Sequence, residues 1–238
     1  ITIRTEVPYG TEIGRAFNDS NLVTNELADA HGFLNTSGLV LLMHFNNESA
    51  FGEATAEAGL NNKTVDFSVY ANSERSGSNA NNGTFLYGAT INKTDYKFGG
   101  GAGEFDGVDD FVNVPDSPVL SPSIKTLEAW VNMNTFRGQD LIAGKSDEDW
   151  LSYNFADLGC TANRFGFAVQ NGGWSCVSST TSPTVGMWYH LVGTHDGTNI
   201  RIYVNGVLEG GPTAKGVVSD TTATFTIGSY LANPTLYP

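Results

Sequence analysis

Trp188-Tyr-His-Leu-Val-Gly-Thr-His-Asp-Gly-Thr-Asn-Ile-Arg-Ile-Tyr-Val-Asn-Gly-Val-Leu208 is the stretch that decides the fold. Ile200, Ile202 and Val204 fall on one face of Asn199–Val204, the period of a half-buried strand. Asp196-Gly197 and Asn205-Gly206 mark hairpin turns, because both central residues of a type I′ turn need positive φ. Trp188–His195 is the strand that precedes this pair of turns.

The same period extends outward on both sides. In Thr126–Asn132 one face carries Leu127, Ala129 and Val131, and the other carries Thr126, Glu128, Trp130 and Asn132. Further strands are expected at Ile1–Val7, Leu39–Phe45, Gly103–Phe105, Phe111–Val114, Lys125–Met133, Asp140–Gly144, Leu151–Phe155, Arg164–Gln170, Trp174–Thr180 and Ala223–Gly228. Gln170-Asn-Gly-Gly-Trp174 is a third turn. Strands separated by turn signals every ~8–12 residues read as a sandwich or jelly roll. The one helical pattern is Asn21–His31, and 46–94 reads as long loops with one or two short strands.

The chain has 238 residues, enough for one large β domain. Its formal net charge of −13 argues against nucleic acid and anionic membrane as partners. No run approaches the ~18 apolar residues of a membrane span. The chain starts at Ile1 without an initiator Met, which reads as a processed chain or a fragment. Asn-X-Ser/Thr acceptors stand at Asn18, Asn35, Asn47, Asn62, Asn82 and Asn92. Their crowding into the first part of the chain suits a glycosylated, exported protein at the cell surface or outside it.

Phe105-Asp-Gly-Val-Asp-Asp-Phe-Val-Asn-Val-Pro-Asp-Ser-Pro-Val-Leu120, Thr126–Val131, Trp188–Gly197, Arg201–Leu208 and Thr224–Gly228 stand in an order that resembles the LamG-like, concanavalin A-type jelly rolls. The resemblance implies an all-β antiparallel sandwich over residues 38–238, with residues 1–37 as an N-terminal extension. Such domains commonly end in a strand that packs beside the first, and this chain stops at Pro238 without that pattern. Glycosidases of related fold carry two glutamates on one strand, but Glu104-Phe-Asp106 is followed by Gly-Val-Asp where the second Glu belongs. A non-catalytic protein is therefore expected.

Asp106, Asp109 and Asp110, with Asp66, are candidate calcium ligands, since calcium prefers clustered carboxylates and the resembled family often binds it. The same residues also serve ordinary turn chemistry. Asp147-Glu-Asp-Trp150 reads as a solvated loop tip. His31 and His44 show no metal spacing, and His190 and His195 read as structural. Cys160 and Cys176 flank Arg164–Gln170, and a disulfide in an oxidising compartment competes with two separate buried thiols. Trp150, Tyr153 and Trp174 are candidates for stacking on sugar rings.

Two functions follow. One is a structural or adhesive subunit of a surface filament, in which Ile1, Ile3 and Val7 form a strand donated to another copy. The other is a module that binds carbohydrate or glycoprotein.

Overall fold

The structure, a computed structural model, describes residues 40–43, 45, 63–66, 81–97 and 100–229. The donor-strand residues Ile1, Ile3 and Val7, the helix Asn21–His31, His31, His44, and the acceptors Asn18, Asn35, Asn47 and Asn62 lie outside them. The chain divides into two compact units, Ile1–Asp106 and Gly107–Pro238.

In the first unit, β1 (Lys63–Thr64) pairs antiparallel with β2 (Gly83–Leu86), and β3 (Thr90–Asn92) pairs with β4 (Ala102–Glu104). Residues 40–43 and 45 do not form the strand expected at Leu39–Phe45. A side chain takes the place of a strand partner there: buried Asp66 accepts the Leu42 N–H on Oδ1 and the Asn81 N–H on Oδ2.

The second unit is an antiparallel sandwich. One sheet runs β5 (Phe111–Val114), β14 (Phe225–Ile227), β7 (Asp140–Lys145), β8 (Asp149–Tyr153), β9 (Phe165–Gln170), β10 (Trp174–Ser178). The facing four-stranded sheet runs β13 (Val207–Ala214), β12 (Asn199–Val204), β11 (Trp188–His195), β6 (Lys125–Asn132). Leu151, Phe165, Phe167, Val169 and Val177 of the first meet Leu191, Ile200, Ile202 and Val204 of the second in one core.

Strand β13 is not expected from the sequence pattern, because Gly210-Gly211-Pro212 interrupts it. Proline lacks an N–H to give a ladder and is tolerated at a sheet edge, and β13 is the edge.

The larger sheet is covered on its other face as well. Residues 154–163 fold back over it and bury Phe155, Leu158 and Cys160 against Leu141, Trp150 and Ala168. Cys160 and Cys176 are disulfide-bonded across this layer, with Cα atoms 5.1 Å apart. Gly166 lies directly beneath: a Cβ there would stand 2.6 Å from Cys160 Sγ and 2.9 Å from Cys176 Sγ.

The stretch 147–150 is not a solvated tip, and this corrects the sequence expectation. Only Asp147 is exposed, at a positive φ of 59°. Glu148 is fully buried, with Oε1 accepting from Lys145 Nζ at 2.8 Å and Oε2 from Lys125 Nζ at 3.3 Å. Asp149 Oδ2 accepts from Lys125 Nζ at 2.5 Å. Acidic residues can be buried when charged partners meet them, here Lys145 at the same turn and Lys125 on β6 of the facing sheet, and composition alone does not reveal those partners.

Candidate functional site

Strand alternation sends Leu191, Ile200, Ile202 and Val204 into the core, so Trp188, His190, Tyr203, Glu128 and Trp130 are turned to the outer face of the four-stranded sheet. The register places Trp130 directly opposite His190, Asn132 opposite Trp188, and Val192 between Glu128 and Tyr203. Leu208 lies beside Tyr203 on β13 and is exposed.

The Trp130 indole stacks on the His190 imidazole, with centroids 4.9 Å apart and planes at 25°. His190 Nε2 lies 2.8 Å from Glu128 Oε1, and the His190 backbone N–H donates to Asn205 Oδ1 at 2.9 Å. The imidazole is thus fixed from two sides, and it fixes the indole in turn. Trp130 remains 38% exposed. A ring held flat on a rigid sheet loses little freedom when a ligand stacks on it.

A second group of residues occupies one end of the sandwich. Phe136 on the β6–β7 loop stacks on Tyr153 of β8, with centroids 4.8 Å apart and planes at 26°. Asp140 begins β7 directly opposite Tyr153. Asp140 Oδ2 is buried and has no hydrogen-bond partner among the described residues. Burial pushes the Asp140 carboxyl up to about 6, against the pull of the Arg137 backbone N–H and guanidinium. Burial also raises the Tyr153 phenol, with the Asp140 charge adding to it.

The sugar-stacking expectation is corrected for two of its three residues. Trp150 and Tyr153 are each 3% exposed and present no open ring face while the 154–163 segment and Phe136 cover them. Trp150 is covered by the 154–163 segment, and Tyr153 faces the core beneath Phe136. Trp174 is half-buried against the disulfide layer. Among the described residues of the second unit, the exposed rings are instead Trp130 and Phe136. The alternation in Thr126–Asn132 turns Trp130 away from the apolar face, and that is the signal for it.

Asp106 is exposed, Asp109 half-buried and Asp110 buried. Asp66 uses both carboxylate oxygens for backbone N–H groups. Glu104 and Asp106 are both exposed. His195 is a core residue whose Nδ1 lies 2.9 Å from the Ser123 carbonyl and Nε2 3.1 Å from that of Lys215. Asn82 is exposed, and its Oδ1 accepts the Asp66 N–H. Asn92 Oδ1 accepts the N–H groups of Thr94 and Asp95 and the Thr94 hydroxyl.

No curated protein matches the sequence. Several solved structures are similar in part. Domain 4 of AbnA, a GH43 extracellular arabinanase from Geobacillus stearothermophilus in complex with arabinotriose, shares 18% identity over 61% of this chain and 72% of that one, at a TM-score of 0.47. The carbohydrate binding module CBM66 from Bacillus subtilis shares 20% over 61% and 87%, at 0.36. Trypanosoma rangeli sialidase in complex with sialic acid shares 18% over 73% of this chain and 26% of its own, at 0.47. Residues 105–235, more than half of the sequence, match the concanavalin A-like lectin/glucanases family description, and the chain belongs to that superfamily.

Proposed function

We propose that this protein is a non-catalytic, extracellular carbohydrate-binding module whose binding face is the outer surface of the four-stranded sheet. The carrying observation is the Trp130 ring, exposed yet fixed by His190 and Glu128 beside Trp188 and Tyr203. The apolar face of a sugar ring packs on an aromatic face, and its hydroxyls need acceptors at the rim. Glu128 uses Oε1 for His190, and its half-open side chain leaves Oε2 to receive a hydroxyl. The net charge of −13 favours a neutral glycan over an anionic one.

Trp130→Ala is expected to weaken oligosaccharide binding by about 2 kcal/mol or more, roughly 30-fold, as for a central aromatic anchor. The melting temperature should move little, since the ring is partly solvated. Titration calorimetry against an oligosaccharide pool checks this. Undiminished binding by the variant would sink the proposal.

A second reading, self-assembly by strand addition, has one observation in its favour. Among the described residues β6 pairs only with β11, so it ends its sheet. A strand bearing Ile1, Ile3 and Val7 would add there in cis or in trans. Deleting residues 1–7 should then lower thermal stability in either case, and particle size where the addition is in trans. If neither changes, strand addition fails and the glycan reading stands alone.

A further inference from the structure

We propose that Tyr153 and Asp140 form a second saccharide subsite, separate from the sheet face, whose lid is the Phe136 ring. It rests on the glycan-binding reading for its ligand class, and on the loop geometry for everything else.

The β6–β7 loop is tied down at its two ends, and between them the Arg137 backbone N–H is bonded to the Asp140 carboxyl and Phe136 rests on Tyr153. At one end the Gly186 N–H donates to the Met133 carbonyl at 3.0 Å. At the other, Asn154 Nδ2 donates to the Gly138 carbonyl at 2.7 Å, and Gln139 pairs with Asp157. Residues 134–137 between these anchors are all exposed. Gly138 has φ 137°, and a Cβ there would meet nothing within 4 Å.

Directly across the β7–β8 ladder from Tyr153 lies a group that this arrangement leaves unsatisfied. Asp140 Oδ2 is shut away from solvent and takes no hydrogen bond from the described residues. An ionised carboxylate oxygen in that state is costly, so ionisation favours any arrangement that brings a donor to it. The charged and titratable groups around it are Arg137 on its own loop, Tyr153 on β8, and Arg164 acting on the phenol. Arg137 does not reach Oδ2; its guanidinium lies over Gly107.

A sugar end group has the matching chemistry. One face of its ring replaces Phe136 on Tyr153, and one hydroxyl donates to Asp140 Oδ2. Asn163, whose Oδ1 accepts the Tyr153 hydroxyl at 3.3 Å, and Arg164 stand at the rim for further hydroxyls. The carboxyl titrates at about 6 in the free protein, so the acceptor form dominates at pH 7 and the protonated form at pH 5.

The test uses the full chain carrying Trp130→Ala, so that the sheet face is silent. The probes are the methyl glycosides of glucose, galactose, mannose and arabinose, followed by amide chemical shifts. At pH 7 at least one probe should move the signals of residues 134–138 and Tyr153. Its affinity should fall about tenfold at pH 5, because protonation of a group titrating near 6 competes with binding by that factor. Asp140→Asn should abolish the response, and Phe136→Ala should strengthen it by removing the lid. Silence of all probes at these signals, equal affinity at pH 5 and 7, or unchanged binding by Asp140→Asn would each overturn the subsite. If the Trp130-bearing protein loses no affinity when Trp130 is removed while the subsite responds, the sheet-face reading fails and the subsite stands.

Discussion

Glu148→Ala is expected to destabilise the second unit by about 3 kcal/mol or more, the cost of leaving buried charges short of a partner. Glu148 is the hub of a network with no solvent to fall back on. Its Oε1 accepts from Lys145 Nζ, Ser121 Oγ and the Thr221 N–H, each at 2.8 Å, and its Oε2 accepts from Lys125. Burial alone would push this carboxyl up. Lys145, the Thr221 N–H, Ser121 and Lys125 together outweigh that and hold it below the ordinary range.

Removing it strands Lys145 and Lys125 in the interior with Asp116 and Asp149 as their remaining acidic partners. It also unties the segments around Ser121 and Thr221 from β7 and β8. Asp116 provides the contrast. It pairs with the same Lys145 at 2.8 Å but is 31% exposed, so Asp116→Ala should cost no more than about 1 kcal/mol. Denaturant unfolding of the two variants, with unchanged slope, measures the difference. Equal costs would mean that the network is no more than two ordinary surface pairs.

Gly144→Ala should be comparably damaging for a different reason. Gly144 sits opposite Trp150 in the β7–β8 ladder. A Cβ there would stand 2.1 Å from the Asp149 carbonyl oxygen and 2.9 Å from the Trp150 Cα. Those neighbours are backbone atoms of the partner strand, so no side-chain rotation relieves the overlap. The strands must part, and the Lys125–Asp149 pair and the Trp150 layer part with them. Overpacking typically costs about 1–3 kcal/mol, and a backbone clash in mid-sheet belongs at the upper end. Gly216 is a control: the neighbour of its Cβ is the amide of Asn171, a side chain that can turn aside. Thermal melts should separate the two variants clearly. An unperturbed melt for Gly144→Ala would show that the two strands are less closely paired there.

Strands that alternate are legible in the sequence alone. Phe111–Val114, Trp188–His195 and Asn199–Val204 coincide with the expected bounds, and Asn199–Val204, with one wet face, announces itself by period two. Strand β8 hides its environment. All its residues are buried, with Leu151 and Tyr153 facing one layer and Trp150 the other. Aromatics at both parities are a sign of burial on both faces, and the stacking role expected of Trp150 and Tyr153 overlooks it. The reverse holds for Trp130. Its parity places it on the wet face, but no local pattern says that His190, distant in the chain, will lie beneath it. The Glu148 network is illegible for a related reason: Lys145 is only three residues away, but Lys125 on the facing sheet and Thr221 in a distant loop meet it only through the closure of the sandwich.

The central claim is that glycans bind on the outer face of the four-stranded sheet. Chemical-shift mapping of the wild-type chain with a soluble oligosaccharide pool tests it most directly. The account predicts that the largest shifts fall on the Trp130 and Trp188 indole N–H groups, His190, Tyr203 and Glu128. Shifts confined to other faces of the sandwich, or none at all, would contradict it.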